Sequence, residues 1–209
     1  MVTIKELNTL TGGLSRPSKM PGFAYGIPAQ DCILGSILRK KAGSVCSQCY
    51  AFKGMYVFPN VKNAQARRMQ ATLSPDWVKN MTELIARKLA NREKVFRWHD
   101  SGDLQSVEHL SKIVQIAKNL PDVRFWLPTR ERKLIALWTL ANGDFPDNLT
   151  VRVSMPMIGQ KAIRNYSYVQ STVGAGNGFK CPARSQGNEC KDCRACWDKN
   201  VRSVDYSQH

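Results

Sequence analysis

Four cysteines, Cys181, Cys190, Cys193 and Cys196, fall within sixteen residues, with eight, two and two residues between them. A two-residue separation lets successive thiolates converge on one centre, because the intervening turn brings both sulfurs to the same side. Four ligands complete a site. The overlapping pairs Cys190/Cys193 and Cys193/Cys196 favour an iron–sulfur cluster, with tetrahedral zinc as the chemical alternative. A second set, Cys32, Cys46 and Cys49, leaves thirteen and then two residues between ligands. On a four-iron cubane three thiolates leave one iron open to an exogenous ligand, whereas on zinc they leave a water or require a histidine. His99 is the histidine candidate, since His109 falls in a predicted helix and His209 is the last residue; at a strand end His99 equally suits a hydrogen-bonding role. Cys32 has its own alternative, packing in the core while the other cysteines bind zinc, so Cys46 and Cys49 are the firmer pair.

Disulfides explain these spacings poorly. No apolar run is long enough to span a bilayer, and Met1 to Leu14 lacks the apolar stretch of a secretory signal, so the sequence points to the cytoplasm, where thiols do not persist as structural bridges. The formal charge is +15, from 31 basic and 16 acidic side chains, with concentrations at Arg39-Lys40-Lys41, Arg67-Arg68, and Arg130, Arg132 and Lys133. Cubanes on four and on three cysteines would carry about −2 and −1, which leaves roughly +12. A surplus of that size favours a polyanionic partner, nucleic acid or nucleotide first, over a protein that is merely basic.

The first thirty residues hold Gly12, Gly13, Pro17, Pro21, Gly22, Gly26 and Pro28, and predict a mostly irregular arm. Helix formers return from Ala64 to Leu73. Ser74-Pro75 then reads as an N-cap and first helical position, followed by Trp77, Val78, Met81, Leu84, Ile85 and Leu89 on one face. Lys94 to Asp103 runs from Val95-Phe96 into His99-Asp100-Ser101-Gly102-Asp103, as a buried strand ending in a polar loop. The unit repeats: a helix through Leu110, Ile113, Val114 and Ala117, then the strand Val123–Leu127 ending at Thr129-Arg130. A helix through Leu134 to Trp138 follows, closed by Asn142-Gly143, and then the strand Leu149–Val153 ending at Ser154.

Alternating strands and helices predict an α/β fold with a parallel sheet, in which functional residues gather at the carboxyl ends of the strands. Three clear strands are too few for a closed eight-stranded barrel. The expectation is a partial, open parallel β/α barrel with a small cysteine-rich C-terminal lobe. The arm, cysteine-bearing loop and barrel would occupy residues 1–156, and the lobe, packed on the same domain, residues 157–209. The run Gly174-Ala175-Gly176-Asn177-Gly178 lacks the lysine and following helix of a phosphate loop.

Pro28-Ala29, Cys32, Gly43-Ser44-Val45-Cys46, Cys49-Tyr50-Ala51, Lys53-Gly54, Tyr56 and Arg67-Arg68 resemble the bacteriophage family known as gene product eighty-eight. So do His99 to Asp103 and the run from Cys181-Pro182 through Cys193-Arg194-Ala195-Cys196-Trp197. That resemblance implies an infected bacterial cell as the setting. More distantly, Cys46 to Ala51, Ser101 to Asp103, Thr129-Arg130 and Ser154 are similar, in order, to phage radical S-adenosylmethionine proteins. In those enzymes three cysteines hold a [4Fe-4S] cluster whose free iron takes the amino and carboxylate groups of S-adenosylmethionine, and reduction yields a 5′-deoxyadenosyl radical. The resemblance implies that Ser101, Gly102 and Asp103 approach the methionine ammonium, and that Thr129, Arg130 and Ser154 face the carboxylate, ribose or substrate. Ser101, Asp103 and Arg130 are then the catalytic candidates. The C-terminal four-cysteine set becomes an auxiliary [4Fe-4S] cluster. The usual three-cysteine motif has three and two intervening residues, so this chain departs from it between Cys32 and Cys46.

Two classes of function follow. One is a radical enzyme with two clusters that modifies nucleic acid or a nucleotide. The other is a non-catalytic protein with structural iron–sulfur or zinc centres that binds nucleic acid or a host protein. In the second, aromatic residues near basic ones, Trp126 by Arg130 or Tyr166 by Arg164, either stack on bases or pack in the core.

Overall fold

The computed structural model describes residues 2–208, so His209 lies outside the described residues. The chain starts with a helix, α1 (Ile4–Thr11), whose N-terminus is closed by a capping box: Thr3 Oγ1 accepts from Glu6 N, and Glu6 Oε2 accepts from Thr3 N at 2.7 Å. Strand β1 (Phe23–Tyr25) follows, so the first thirty residues are not mostly irregular. Its partner lies 73 residues on, with Phe23 opposite Phe96, which local composition could not reveal. Helix α2 (Ile33–Arg39), three short 3₁₀ turns between Val45 and Val57, and α3 (Pro59–Thr72) form the cysteine-bearing loop.

The regular part then reads α4 (Trp77–Leu89), β2 (Val95–Trp98), α5 (Val107–Asn119), β3 (Arg124–Thr129), α6 (Arg132–Asn142) and β4 (Leu149–Ser154). Three further strands, β5 (Val169–Val173), β6 (Phe179–Lys180) and β7 (Ser203–Tyr206), complete a seven-stranded sheet in the order β1-β2-β3-β4-β5-β7-β6. Every neighbouring pair is parallel. The order has two free ends, so the sheet is open and not closed into a barrel.

The region after Pro156, expected as a lobe packed on the same domain, adds three strands to the same sheet, with Arg152 paired to Val169. Strands β5 and β7 escaped sequence reading because most of their buried residues are polar. Gln170, Ser171, Thr172 and Asp205 are all buried, and hydrogen bonds replace the apolar alternation, as between Thr172 Oγ1 and Asp205 Oδ1 at 2.6 Å. Asp205 also accepts from the amides of Ala175 and Gly176, so the glycine-rich loop is satisfied within the fold.

Because strand side chains alternate, the sheet has two unlike faces. Phe96, Trp98, Phe125, Leu127, Leu149 and Val151 pack against Trp77, Met81, Ile85 and Leu89 of α4 and the apolar stripes of α5 and α6. Each large side chain so buried contributes about 1.5–3 kcal/mol. The other face carries Val95, Trp126 and Val204 and is covered by Ala195, Cys196 and Trp197, with Cys181 and Cys193 packed alongside. Helices thus close one side, and the C-terminal cysteine segment closes the other.

Candidate functional site

Parallel strands bring their carboxyl ends to one rim, and β2 supplies its richest part. His99 adopts φ 51° with its amide donating to Tyr25 O at 2.8 Å, which turns the chain sharply off the strand. Gly102 has φ 75°, and a side chain there would meet Ile27 O at 2.7 Å, so both conformation and space require glycine. Ser101 Oγ donates to Ile27 O at 2.8 Å and accepts from Gln65 Nε2 at 2.7 Å, joining the ends of β1 and β2 to α3. Asp103 is buried and accepts from Thr129 Oγ1 at 2.6 Å, Leu104 N at 2.8 Å and Arg130 N at 2.9 Å. Burial pushes its carboxyl pKa up, and those hydrogen bonds oppose the shift. Arg130 Nε is buried with no partner. Ser154, at the end of β4, accepts from Ser171 Oγ at 3.0 Å.

The three N-terminal cysteines are tied to this rim, each through a different strand end. Leu34 N, in the first turn of α2 just after Cys32, donates to Glu131 Oε1 at 2.8 Å, from the residue that follows Arg130. Beside Cys46, Val45 N donates to Pro156 O at 2.9 Å, beyond β4. Next to Cys49, Tyr50 OH donates to Asp100 O at 2.5 Å, beyond β2. Gly35 marks where the sulfurs approach: a methyl group on it would lie 2.7 Å from Cys32 Cβ, 3.4 Å from Cys32 Sγ and 3.9 Å from Cys46 Sγ. Burial drives the Cys32 thiol pKa well up, Asp103, Cys49 and Cys46 add to it, and Arg130 opposes. The Cys46 thiol is raised by burial in the same way, again against Arg130. Thiolates here need more positive charge than Arg130 supplies.

Among the described residues no three His, Cys, Asp or Glu side chains are gathered so as to hold a metal ion. Thiolates on one zinc would sit about 3.8 Å apart, the edge of a tetrahedron with its bond length, whereas the sulfurs of a cubane sit on separate irons and spread further. His99 packs its ring edge-on against His109 at 5.4 Å, on the side of α5.

The C-terminal four cysteines are held from several directions. Cys181 N donates to Asp205 O, Cys190 N to Lys19 O and Cys193 N to Cys190 O, each at 2.9 Å, while Cys196 Sγ lies 3.2 Å from Tyr206 OH. Burial raises the Cys196 thiol to about 12, and raises Cys181 and Cys190 too; each of the three is pushed further up by other members of the set.

Two arginines inside strands lie on this side of the sheet, and sequence reasoning passed over both; Arg152 positions the cysteine segment. Arg152 is fully buried in β4, and its guanidinium donates to Gln170 O, Val201 O, Ala195 O and Asp198 O at 2.8–3.1 Å, fixing the backbone around Cys196. Arg97 in β2 lies 4.5 Å over the Trp126 ring and donates to Tyr50 OH at 3.2 Å. Burial works against its charge, yet Tyr50, Asp100, Tyr206 and Tyr56 together lift its pKa above normal. Its charge opposes the upward shift that burial gives the Cys190 thiol. The signal was present, since a cation in an otherwise apolar strand must be exposed or matched. Gly35, Gln65 and Glu131 were missed as well, and they become meaningful only through partners distant in sequence. Trp126, buried against Trp197 and capped by Arg97, packs in the core and is not a surface for stacking bases.

The chain belongs to the gene product 88 family, which matches residues 3–199. No curated protein and no solved structure matches it. Among the described residues no helix is long and apolar enough to cross a membrane.

Proposed function

We propose that this member of the gene product 88 family is an iron–sulfur enzyme of the radical S-adenosylmethionine type that modifies nucleic acid or a nucleotide. Cys32, Cys46 and Cys49 would hold one [4Fe-4S] cluster, and Cys181, Cys190, Cys193 and Cys196 a second. The observation that supports the reading is that hydrogen bonds tie the loop bearing the three thiols to the carboxyl ends of β2 to β4, where Asp103 holds Thr129 and the Arg130 amide. With S-adenosylmethionine bound, such a centre supplies reductive cleavage of a carbon–sulfur bond.

The chain's own residues suit the binding part of this role. Three hydrogen bonds fix the Asp103 carboxylate and leave about one acceptor direction for an ammonium group. Arg130, with Nε unpartnered, offers a cation to a carboxylate or phosphate. Gly35 keeps the space beside Cys32 and Cys46 clear. Buried thiols with raised pKa ionise when a cation neutralises them, as a metal does. We read the open sheet as a partial barrel whose inner face, lined by Arg97, Trp126 and Arg152, is filled by the C-terminal cysteine segment.

Anaerobic purification followed by iron, sulfide and zinc analysis, with calorimetry and electron paramagnetic resonance on adding S-adenosylmethionine, tests the proposal. About eight irons per chain with matching sulfide, and a spectral change on adding S-adenosylmethionine, are expected. Stoichiometric zinc with little iron and no heat of binding would transfer support to a second reading, a non-catalytic nucleic-acid-binding protein with structural zinc, which the net charge of +15 favours.

A further inference from the structure

We propose that the loop carrying Cys32, Cys46 and Cys49 is a docking platform for single-stranded nucleic acid. The inference deepens the functional reading above by assigning its substrate class, although binding itself needs no cluster chemistry. From Cys32 to Pro75 the chain contains no Asp or Glu and seven basic residues. Six of these, Arg39, Lys40, Lys41, Lys53, Lys62 and Arg67, are exposed, and among the described residues none forms an ion pair. A stretch this long with cations alone projects an uncompensated positive field beside the rim.

Apolar groups are exposed in the same stretch: Met55 is 70% accessible, Phe58 52% and Tyr50 44%. The Tyr50 ring is held in place, since its hydroxyl donates to Asp100 O, accepts from Arg97, and its ring packs 5.4 Å from that of Tyr56. A ring fixed before binding loses little entropy when a base stacks on it. Exposed rings among unpaired cations match a strand whose bases and phosphates are both accessible, whereas a duplex hides its base faces. A membrane surface would call for an exposed apolar helix face: α2 has only seven residues, and α3, with fourteen, exposes no large apolar side chain. Tyr50 directly follows Cys49, so a strand lying on the platform passes beside the first cysteine set.

The test is fluorescence anisotropy with the full chain, purified anaerobically, and labelled DNA and RNA single strands of about twelve nucleotides, with a hairpin duplex for comparison. Titrations at about 50 and 200 mM salt give the salt slope. The single strands should bind more tightly than the duplex. The Lys40→Ala/Lys41→Ala/Lys53→Ala variant should weaken single-strand binding at least about tenfold and lower the salt slope by about two units. Phe58→Ala should weaken it about five- to tenfold with the slope unchanged. A control, Lys5→Ala/Lys79→Ala/Lys118→Ala, removes the same charge elsewhere and should change affinity less than about twofold.

Equal losses from the two triple variants, equal duplex binding, or association with anionic vesicles and not with oligonucleotides would overturn the proposal. Single-strand binding by iron-free protein would keep the platform and sink the cluster reading. Iron-loaded protein that binds S-adenosylmethionine but no oligonucleotide would do the reverse.

Discussion

At Gly35 a single methyl group separates two states of the first cysteine set. The added carbon of Gly35→Ala would press on Cys32 Cβ at 2.7 Å, and a helix backbone on one side and a ligand side chain on the other leave it little room to move. Iron per chain should then fall by about half, with the C-terminal centre retained; full iron content in that variant would show that Cys32 binds no cluster. A second residue-scale effect comes from the buried pair His99 and His109, whose four ring nitrogens have no partners. Burial pushes His99 well below 6.5 and His109 down to about 4. The unfolded chain therefore takes up protons that the native state refuses, so stability is complete above pH 6.5 and declines as pH falls towards 4. Urea unfolding between pH 6.5 and 5 should cost the parent up to about 2 kcal/mol more than His109→Phe. Parallel pH dependence in the two proteins would remove His109 as the cause.

Among the elements, α5 is closed by a side chain from another part of the chain. Asn148 Nδ2 lies 2.9 Å from Ala117 O, Leu120 O and Val123 O, sharing its two hydrogens among them and tying the helix end to the starts of β3 and β4. Asn148→Ala should lower stability by about 1–3 kcal/mol and leave iron content unchanged; thermal melts and metal analysis on one preparation would check both. Helices α4 to α6 and strands β2 to β4 were legible in the sequence because each is long enough to display a period, and their apolar residues face one helix-covered side. Strand β6, with two residues, displays no period, and the polar residues of β5 and β7 hide the alternation. Strand β1 was masked by glycines and prolines whose local meaning is a turn. The rim was legible in part. Asp103, Thr129 and Arg130 stand together as their strand ends implied, whereas the anchors Glu131 and Gln65 and the partner choice of His99 depend on packing between distant segments.

At the scale of the whole molecule, the two cysteine sets occupy different parts of the architecture, one at the strand ends and one on the face opposite the helices. Their supports are also largely separate: Glu131, Pro156 and Asp100 for the first, Arg152, Asp205 and Lys19 for the second. Cys46→Ala should therefore empty the first centre and spare the second, and Cys193→Ala should do the opposite, as read by iron content and by the spectrum of the remaining cluster. Loss of both centres from either change would mean that one site draws ligands from both ends of the chain. Arg97 reaches from the sheet face, where it lies over Trp126, to Tyr50 beside the first set.

The place of β7 between β5 and β6 has a consequence for biogenesis. Residues 181–196 join β6 to β7, and β7 enters the sheet between two strands synthesised before it. While the ribosome still holds this segment, the helix-covered side can close and the opposite side stays bare. Insertion of β7 then clasps the cysteine segment against the sheet and shuts away Cys196, which is 9% accessible in the finished fold. On the proposal that these four thiols bind a cluster, Cys196 would take up its metal before the clasp closes, whereas Cys181, Cys190 and Cys193 stay partly accessible afterwards. In iron-starved cells chains would collect at that stage, with their unfinished side open to proteases.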